Sequence, residues 1–177
     1  MDKPNKRTEA IVSVGSNIEP ELNIPQAMTL LRDFVDLEAV STFYRTAPLG
    51  RPEQPAFLNG VCLLETEGSP RWLKFEVLRH IESELGRERT TDKFAPRSID
   101  LDIALFGEEI VQEPGLRVPD PDIRERPFLA LPIYELRPET VLPDTGEALA
   151  DIVAVLPETG MVADTRFTDL LRARLLL

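Results

Sequence analysis

The chain has 177 residues, of which 42% are hydrophobic and 29% charged, with a formal net charge of −11. That length suits one domain with a sizeable core, and the acidic balance argues against extended binding to a nucleic-acid backbone. The single cysteine, Cys62, leaves no disulfide within the chain, and the single histidine, His80, leaves no His-rich metal site and no Ser-His-Asp machinery.

No apolar run approaches the roughly 20 residues that cross a bilayer. The opening MDKPNKRTEA is polar and is not a secretory leader, so a cytoplasmic location is expected. EAIVSVGSN predicts a buried strand from Ala10 to Val14 that ends in a turn at Gly15, Ser16 and Asn17. From about Leu22 to Phe34 the apolar residues Ile24, Ala27, Met28, Leu30, Leu31 and Phe34 fit a helical stripe. VDLEAVSTFYRTAPLG predicts one strand with Val40, Thr42 and Tyr44 on a common face, broken by Pro48 and Gly50. After the proline-rich loop RPEQPA comes the strand FLNGVCLLETE, in which Cys62 is core.

Ser69 is a predicted N-cap with Pro70 in the first helical turn. The helix is expected to run to about Leu85 and stop at Gly86, with His80 on its polar or half-buried side. The loop GRERTTDKFAPRS carries Arg87, Arg89, Lys93 and Arg97 against only Glu88 and Asp92, a basic cluster in an acidic chain. A strand follows, then a turn at Gly107, a short strand EEIV, and the proline-punctuated VPDPDIRERPFLALPIYELRPE with a helical piece near Phe128 to Tyr134. The order β-α-β-β-α-β implies an α+β, ferredoxin-like antiparallel sheet with helices on one face and a C-terminal extension packed around it. Residues 8–160 are expected to form one domain and 161–177 a helical tail, in which FTDLLRARLLL is amphipathic.

The chemistry concentrates in FAPRSIDLDIALFG, residues 94–107. On a strand, Asp100 and Asp102 share a face with Cα atoms about 6–7 Å apart, while Ile99, Leu101 and Ile103 face the core. Two neighbouring carboxylates repel unless a cation stands between them, and Mg2+ prefers one or two carboxylates plus substrate phosphates and water. The adjacent arginines offer planar donors to phosphate oxygens. Neither a P-loop nor a G-x-G-x-x-G turn is present, so side chains must hold the phosphates. A nucleotide triphosphate reaction fits, with positioning and charge neutralisation supplying most of the catalysis. A palm-type nucleotidyl transferase or cyclase, and a ferredoxin-like regulatory domain, are the competing readings. The first would release pyrophosphate rather than AMP, and the second would need no magnesium.

The blocks VGSN, FYRTAPLG, QPAFLNG, LGRER, PRSIDLDIALFG and VPDPDIRERPFLALPI occur in order from about Ala10 to Asp144. Together they resemble the 6-hydroxymethyl-7,8-dihydropterin pyrophosphokinase family of folate biosynthesis. The resemblance implies transfer of the β,γ-pyrophosphoryl group of ATP, the co-substrate, to the pterin CH2OH with release of AMP. It makes Asp100 and Asp102 the ligands of two magnesium ions, and Arg87 and Arg97 catalytic contacts to the ATP phosphates. Arg79, Glu82, Arg89, Asp120 and Arg126 complete the nucleotide side. Thr46, Ala47, Leu49, Phe57, Asn59 and Phe128 match the pterin-contacting positions. The partners implied are these two small molecules, acting on a monomer or weak homodimer, with no nucleic acid and no membrane. Two positions depart from the family pattern: Asp120 stands where relatives carry a histidine near the phosphates, and Phe94 where they often carry tryptophan. Asp120 is expected to pair with Arg124 or Arg126, since a free carboxylate would be repelled by triphosphate.

Overall fold

The computed structural model describes residues 6–48, 50–158 and 160–177. Its central strand, β1 (Thr8–Ser16), pairs antiparallel with β4 (Phe57–Thr66) on one side and β5 (Asp100–Phe106) on the other. Beyond β4 lie β2 (Asp36–Val40) and β3 (Tyr44–Thr46), and β3 pairs in turn with β8 (Met161–Ala163). The sheet order is therefore β5-β1-β4-β3-β8, with β2 also on β4 and every described pairing antiparallel. This is the strand arrangement that the β-α-β-β-α-β order implies, once β2 and β3 are taken as two halves of one bent strand.

The bend corrects the expectation of a single strand. The chain leaves the sheet at residues 41–43, and Phe43 is fully buried while Thr42 and Tyr44 stay half-exposed. Gly60 opposite explains the kink: a Cβ there would lie 2.8 Å from the Phe43 ring, so the glycine makes room for it. The ring also meets Phe167 edge-on at 5.4 Å.

Alternation along β1 divides the core. Ala10, Val12 and Val14 face a cluster built with α1 (Pro20–Leu31) and the second helix, and Phe167, Leu171 and Leu175 of α6 (Thr165–Leu175) join it. Ile11 faces the opposite cluster with α4 (Pro127–Leu136) and α5 (Leu149–Val155). The two helices of the β-α-β-β-α-β unit thus share one face, and the C-terminal elements α4 and α5 cover the other. Phe34 lies past the end of α1 and is 41% exposed, meeting His80 edge-on at 5.9 Å rather than joining the core.

The second helix begins where the sequence places it. Ser69 accepts a hydrogen bond from the Trp72 N–H at 3.1 Å, and Gly86 ends the helix at φ +77°. It is made of α2 (Pro70–Trp72), a π-helical stretch Leu73–Leu78 and α3 (Arg79–Glu84). The π stretch adds a residue to one turn, so positions on either side of it are rephased. The predicted strand at EEIV begins only at Val111: β6 (Val111–Glu113) forms a hairpin with β7 (Leu116–Val118). No helix is long and apolar enough to cross a membrane among the described residues.

Candidate active site

β5 places Asp100 and Asp102 as the alternation predicts. Ile99, Leu101 and Ile103 are fully buried, while the two carboxylates have side chains 35% and 46% exposed to a cavity of about 370 Å3. Arg87, Arg89 and Arg97 line the same cavity, with Asp120, Asp122 and Lys74. A second hollow of about 430 Å3 is lined by Thr46, Ala47, Phe57, Phe94, Arg126 and Phe128. Asn59, Arg97, Asp100, Asp122 and Phe128 belong to both, so the two are halves of one cleft. Leu49 lies outside the described residues.

Each carboxylate faces fixed cations. Arg87 donates to Asp100 Oδ1 at 2.8 Å and Arg97 to Oδ2 at 2.5 Å. Burial pushes the Asp100 carboxyl up, but the Arg97 and Arg87 charges and hydrogen bonds outweigh it, so the net shift is downward. Asp102 Oδ1 accepts from Lys74 Nζ at 2.7 Å and from the Ile103 N–H at 2.8 Å. Glu82 is buried and does not line the cavity. It lies behind it, paired with Arg87 and, at 3.0 Å, with Arg89. Arg79 is turned away, with its guanidinium stacked 4.4 Å over the Phe75 ring.

In the second half, Phe57 opens β4 and Phe128 lies in the first turn of α4, both half-buried. Asn59 donates to Thr46 Oγ1 at 2.7 Å, which fixes its amide and leaves its carbonyl oxygen as an acceptor. Glycine on the neighbouring strand leaves this amide its place, because a Cβ on Gly15 would stand 2.6 Å from Asn59 Oδ1. Phe94 caps the rim above Gly50, with the Lys93 ammonium 4.9 Å from its ring.

Asp120 does not make the arginine pair expected from the sequence. Its carboxylate accepts from the Asp122 N–H at 2.9 Å, capping the short 3-10 turn Pro121–Arg124. Arg124 instead holds Asp144 at 2.9 Å and Glu147 at 2.8 Å. A side chain two residues from a backbone donor closes its bond with little chain entropy, so the local contact wins over the longer pair. Burial, followed by the Asp102 and Asp122 charges, raises the Asp120 carboxyl to about 6, against the lowering effect of the Asp122 bond and Lys74.

Three contributors are absent from the sequence expectation. Asn17 accepts from the Arg97 N–H at 2.8 Å and donates to Gln54 Oε1 at 3.0 Å, and Gln54 donates to the Phe94 carbonyl at 2.8 Å. These two amides tie the loop before β4 to the basic loop. The third is Lys74. It stands four residues before Leu78 on the buried side of the helix, and a lysine in an apolar stripe is a visible signal.

The sequence matches 7,8-dihydro-6-hydroxymethylpterin-pyrophosphokinase over residues 11–138. This chain belongs to that family. It is 39% identical over 153 residues to 2-amino-4-hydroxy-6-hydroxymethyldihydropteridine pyrophosphokinase of Pseudomonas aeruginosa, covering 85% of this chain and 93% of that one. The Haemophilus influenzae protein of the same name is 34% identical over 156 residues, covering 86% and 96%. The fold superposes on the crystal structure of Plasmodium falciparum HPPK-DHPS A437G with a TM-score of 0.69 at 12% identity, over 86% of this chain and 46% of that chain. As a member of the pyrophosphokinase family, this α+β protein is an ATP-using enzyme of folate biosynthesis.

Proposed function

We propose that the two halves of the cleft are the two substrate sites of the pyrophosphokinase reaction. The cavity at Arg87, Arg97, Asp100 and Asp102 takes the ATP triphosphate. The hollow between Phe57 and Phe128 takes 6-hydroxymethyl-7,8-dihydropterin. A flat heterocycle gains contact from an aromatic face on each side, and the Asn59 carbonyl, set by Thr46, is suited to accept from its edge. The observation that carries this reading is the shared wall, with Asn59, Asp100 and Phe128 lining both halves. It brings the hydroxymethyl group toward the phosphates.

The substrate oxygen then attacks the β-phosphorus directly. The new O–P bond forms as the bond from that phosphorus to the α,β-bridging oxygen breaks, and AMP leaves. No protein nucleophile is required. The chain's work is to position the reactants and offset charge. Arg87 and Arg97, which hold Asp100 in the free protein, turn to phosphate oxygens. Asp102, half-exposed on the wall of the phosphate half, is a carboxylate able to receive the hydroxyl proton. Arg126 borders the pterin half, and Arg89 flanks the phosphate half.

Asp100 and Asp102 fit magnesium. Their oxygens are hard donors, they share one strand face, and both are half-exposed to the cavity. The cationic side chains now against them mark the positions as ones that call for positive charge. Magnesium draws its other ligands from substrate phosphates and water, so two protein carboxylates suffice. When bound, magnesium would neutralise triphosphate charge and polarise the transferred group. Both half-sites are lined from one chain, so the proposed unit is a monomer or weak homodimer, acting in the cytoplasm where Mg-ATP is supplied.

The test is to mix protein, Mg-ATP and hydroxymethyl-dihydropterin and identify the nucleotide product. AMP with a pterin diphosphate supports the reading; pyrophosphate, or no turnover, overturns it.

A further inference from the structure

Lys74 has no part in the roles above, yet it is the most deeply buried cation facing the cavity, with its side chain 10% exposed. A lysine so placed needs a carboxylate partner, and Asp102 supplies it at 2.7 Å. The same oxygen, Oδ1, also accepts from the Ile103 N–H at 2.8 Å. Among the described residues Oδ2 takes no hydrogen bond, so it is the oxygen offered to the cavity.

The helix is rephased to make this contact. In a regular α-helix, residues 74 and 82 would lie roughly 80° apart around the axis. The extra residue of the π stretch Leu73–Leu78 makes them equivalent to positions seven apart, closing the angle to about 20°. Lys74 and Glu82 are thereby both turned to the buried side, Lys74 to Asp102 and Glu82 to Arg87. Two charged residues in one apolar stripe each answer a charge at the cavity wall.

We propose that Lys74 is a positioning residue that holds the Asp102 carboxylate in a fixed orientation and competes with the divalent cation for it. In the free protein the lysine neutralises Asp102 and keeps metal affinity low. This inference rests on the reading of Asp100 and Asp102 as the magnesium site. Removing the lysine's charge leaves an uncompensated carboxylate, which binds a cation more tightly but is less well oriented for the reaction.

The experiment titrates Mn2+ into the free protein and follows unbound Mn2+ by electron paramagnetic resonance. Lys74→Met is expected to bind Mn2+ about five- to tenfold more tightly than wild type and to lose turnover with Mg-ATP. Lys74→Gln, which keeps a donor near Asp102 without the charge, is expected to show the same tightening if Lys74→Met does not fold. Lys74→Arg should restore weak binding. Unchanged or weaker Mn2+ binding in the neutral variants, with Asp102→Asn still lowering affinity, overturns this inference and leaves the magnesium reading standing. If Asp102→Asn leaves Mn2+ affinity at the wild-type value, the magnesium reading falls and this inference with it.

Discussion

Asn17 and Arg97 bond to one another twice across 80 residues of sequence. The Asn17 side-chain carbonyl accepts the Arg97 N–H at 2.8 Å, and the Asn17 N–H donates to the Arg97 carbonyl at 3.1 Å. The end of β1 thereby anchors the basic loop just where Arg97 meets Asp100. Because Asn17 also donates to Gln54, one side chain sets the position of both loops bordering the cleft.

Asn17→Ala keeps the backbone bond but leaves the Arg97 N–H and Gln54 unsatisfied. Stability should fall by about 1–2 kcal/mol in urea unfolding. KM for both ATP and pterin should rise, since both loops lose their tie. A rise confined to ATP would mean that Gln54 holds its loop without Asn17.

Gly15→Ala isolates the pterin half. A Cβ there would stand 2.6 Å from Asn59 Oδ1, the oxygen left free for ligand, so the amide must rotate or shift. The backbone conformation is ordinary extended strand, so the fold should survive with little loss. Pterin affinity should drop by tenfold or more, about 1.4 kcal/mol, while ATP affinity changes little. Calorimetry with each ligand separately checks this, and equal losses for both would point to a distorted sheet.

The two aspartates should differ in what their loss does to stability. Asp100→Ala and Asp102→Ala are both expected to lower turnover by a thousandfold or more, the several kcal/mol of a lost metal-ligand and charge contact. Asp102→Ala strands the buried Lys74 and should cost about 2 kcal/mol of stability or more. Asp100→Ala leaves Arg87 still paired with Glu82 and should cost less. Near-wild-type turnover in either variant at saturating magnesium would remove the metal assignment. The lowered Asp100 carboxyl also fixes a pH sign. Its contribution is fully present above the ordinary value of 3.8 and is lost as pH falls through its depressed folded value. The stability gap between wild type and Asp100→Asn should therefore shrink as the solution is acidified below 3.8.

Much of this site was legible because its signals are local and periodic. Period two along IDLDI set which side chains of β5 face the cavity, and the Ser69 cap with Pro70 and Gly86 bounded the helix to a residue or two. The features that escaped depend on contacts distant in sequence or on broken periods. Val40, Thr42 and Tyr44 share a face only if the strand is continuous, and the Phe43 ring seated over Gly60 breaks it. A regular helical wheel separates Lys74 from Glu82, and only the π stretch brings them to one side. Asn17 and Gln54 are polar loop residues with no pattern around them; their role exists only once two loops meet.

Asp120 provides the sharpest test of the phosphate half. The sequence suggested an arginine partner, in which case removing the carboxylate would weaken ATP binding. The observed partner is the Asp122 N–H, and burial with the nearby Asp102 and Asp122 charges raises the carboxyl to about 6. A raised folded pKa in an acid means the native state holds the proton more tightly than the unfolded chain. No penalty exists below 3.8; it develops as pH rises through about 6 and is complete above. Asp120→Asn retains an oxygen for the Asp122 N–H but removes the charge. It should therefore be more stable than wild type at pH 8, on the order of 2 kcal/mol, and nearly equal to it below pH 3.8. Removing a negative charge from the cavity wall should also leave ATP binding equal or two- to threefold tighter at pH 8, about 0.5 kcal/mol. Urea titrations at the two pH values and calorimetry with an α,β-methylene ATP analogue measure both effects. Loss of stability at pH 8, or weaker analogue binding, would mean that the charge of Asp120 is held by a cation after all and orients it toward the phosphates.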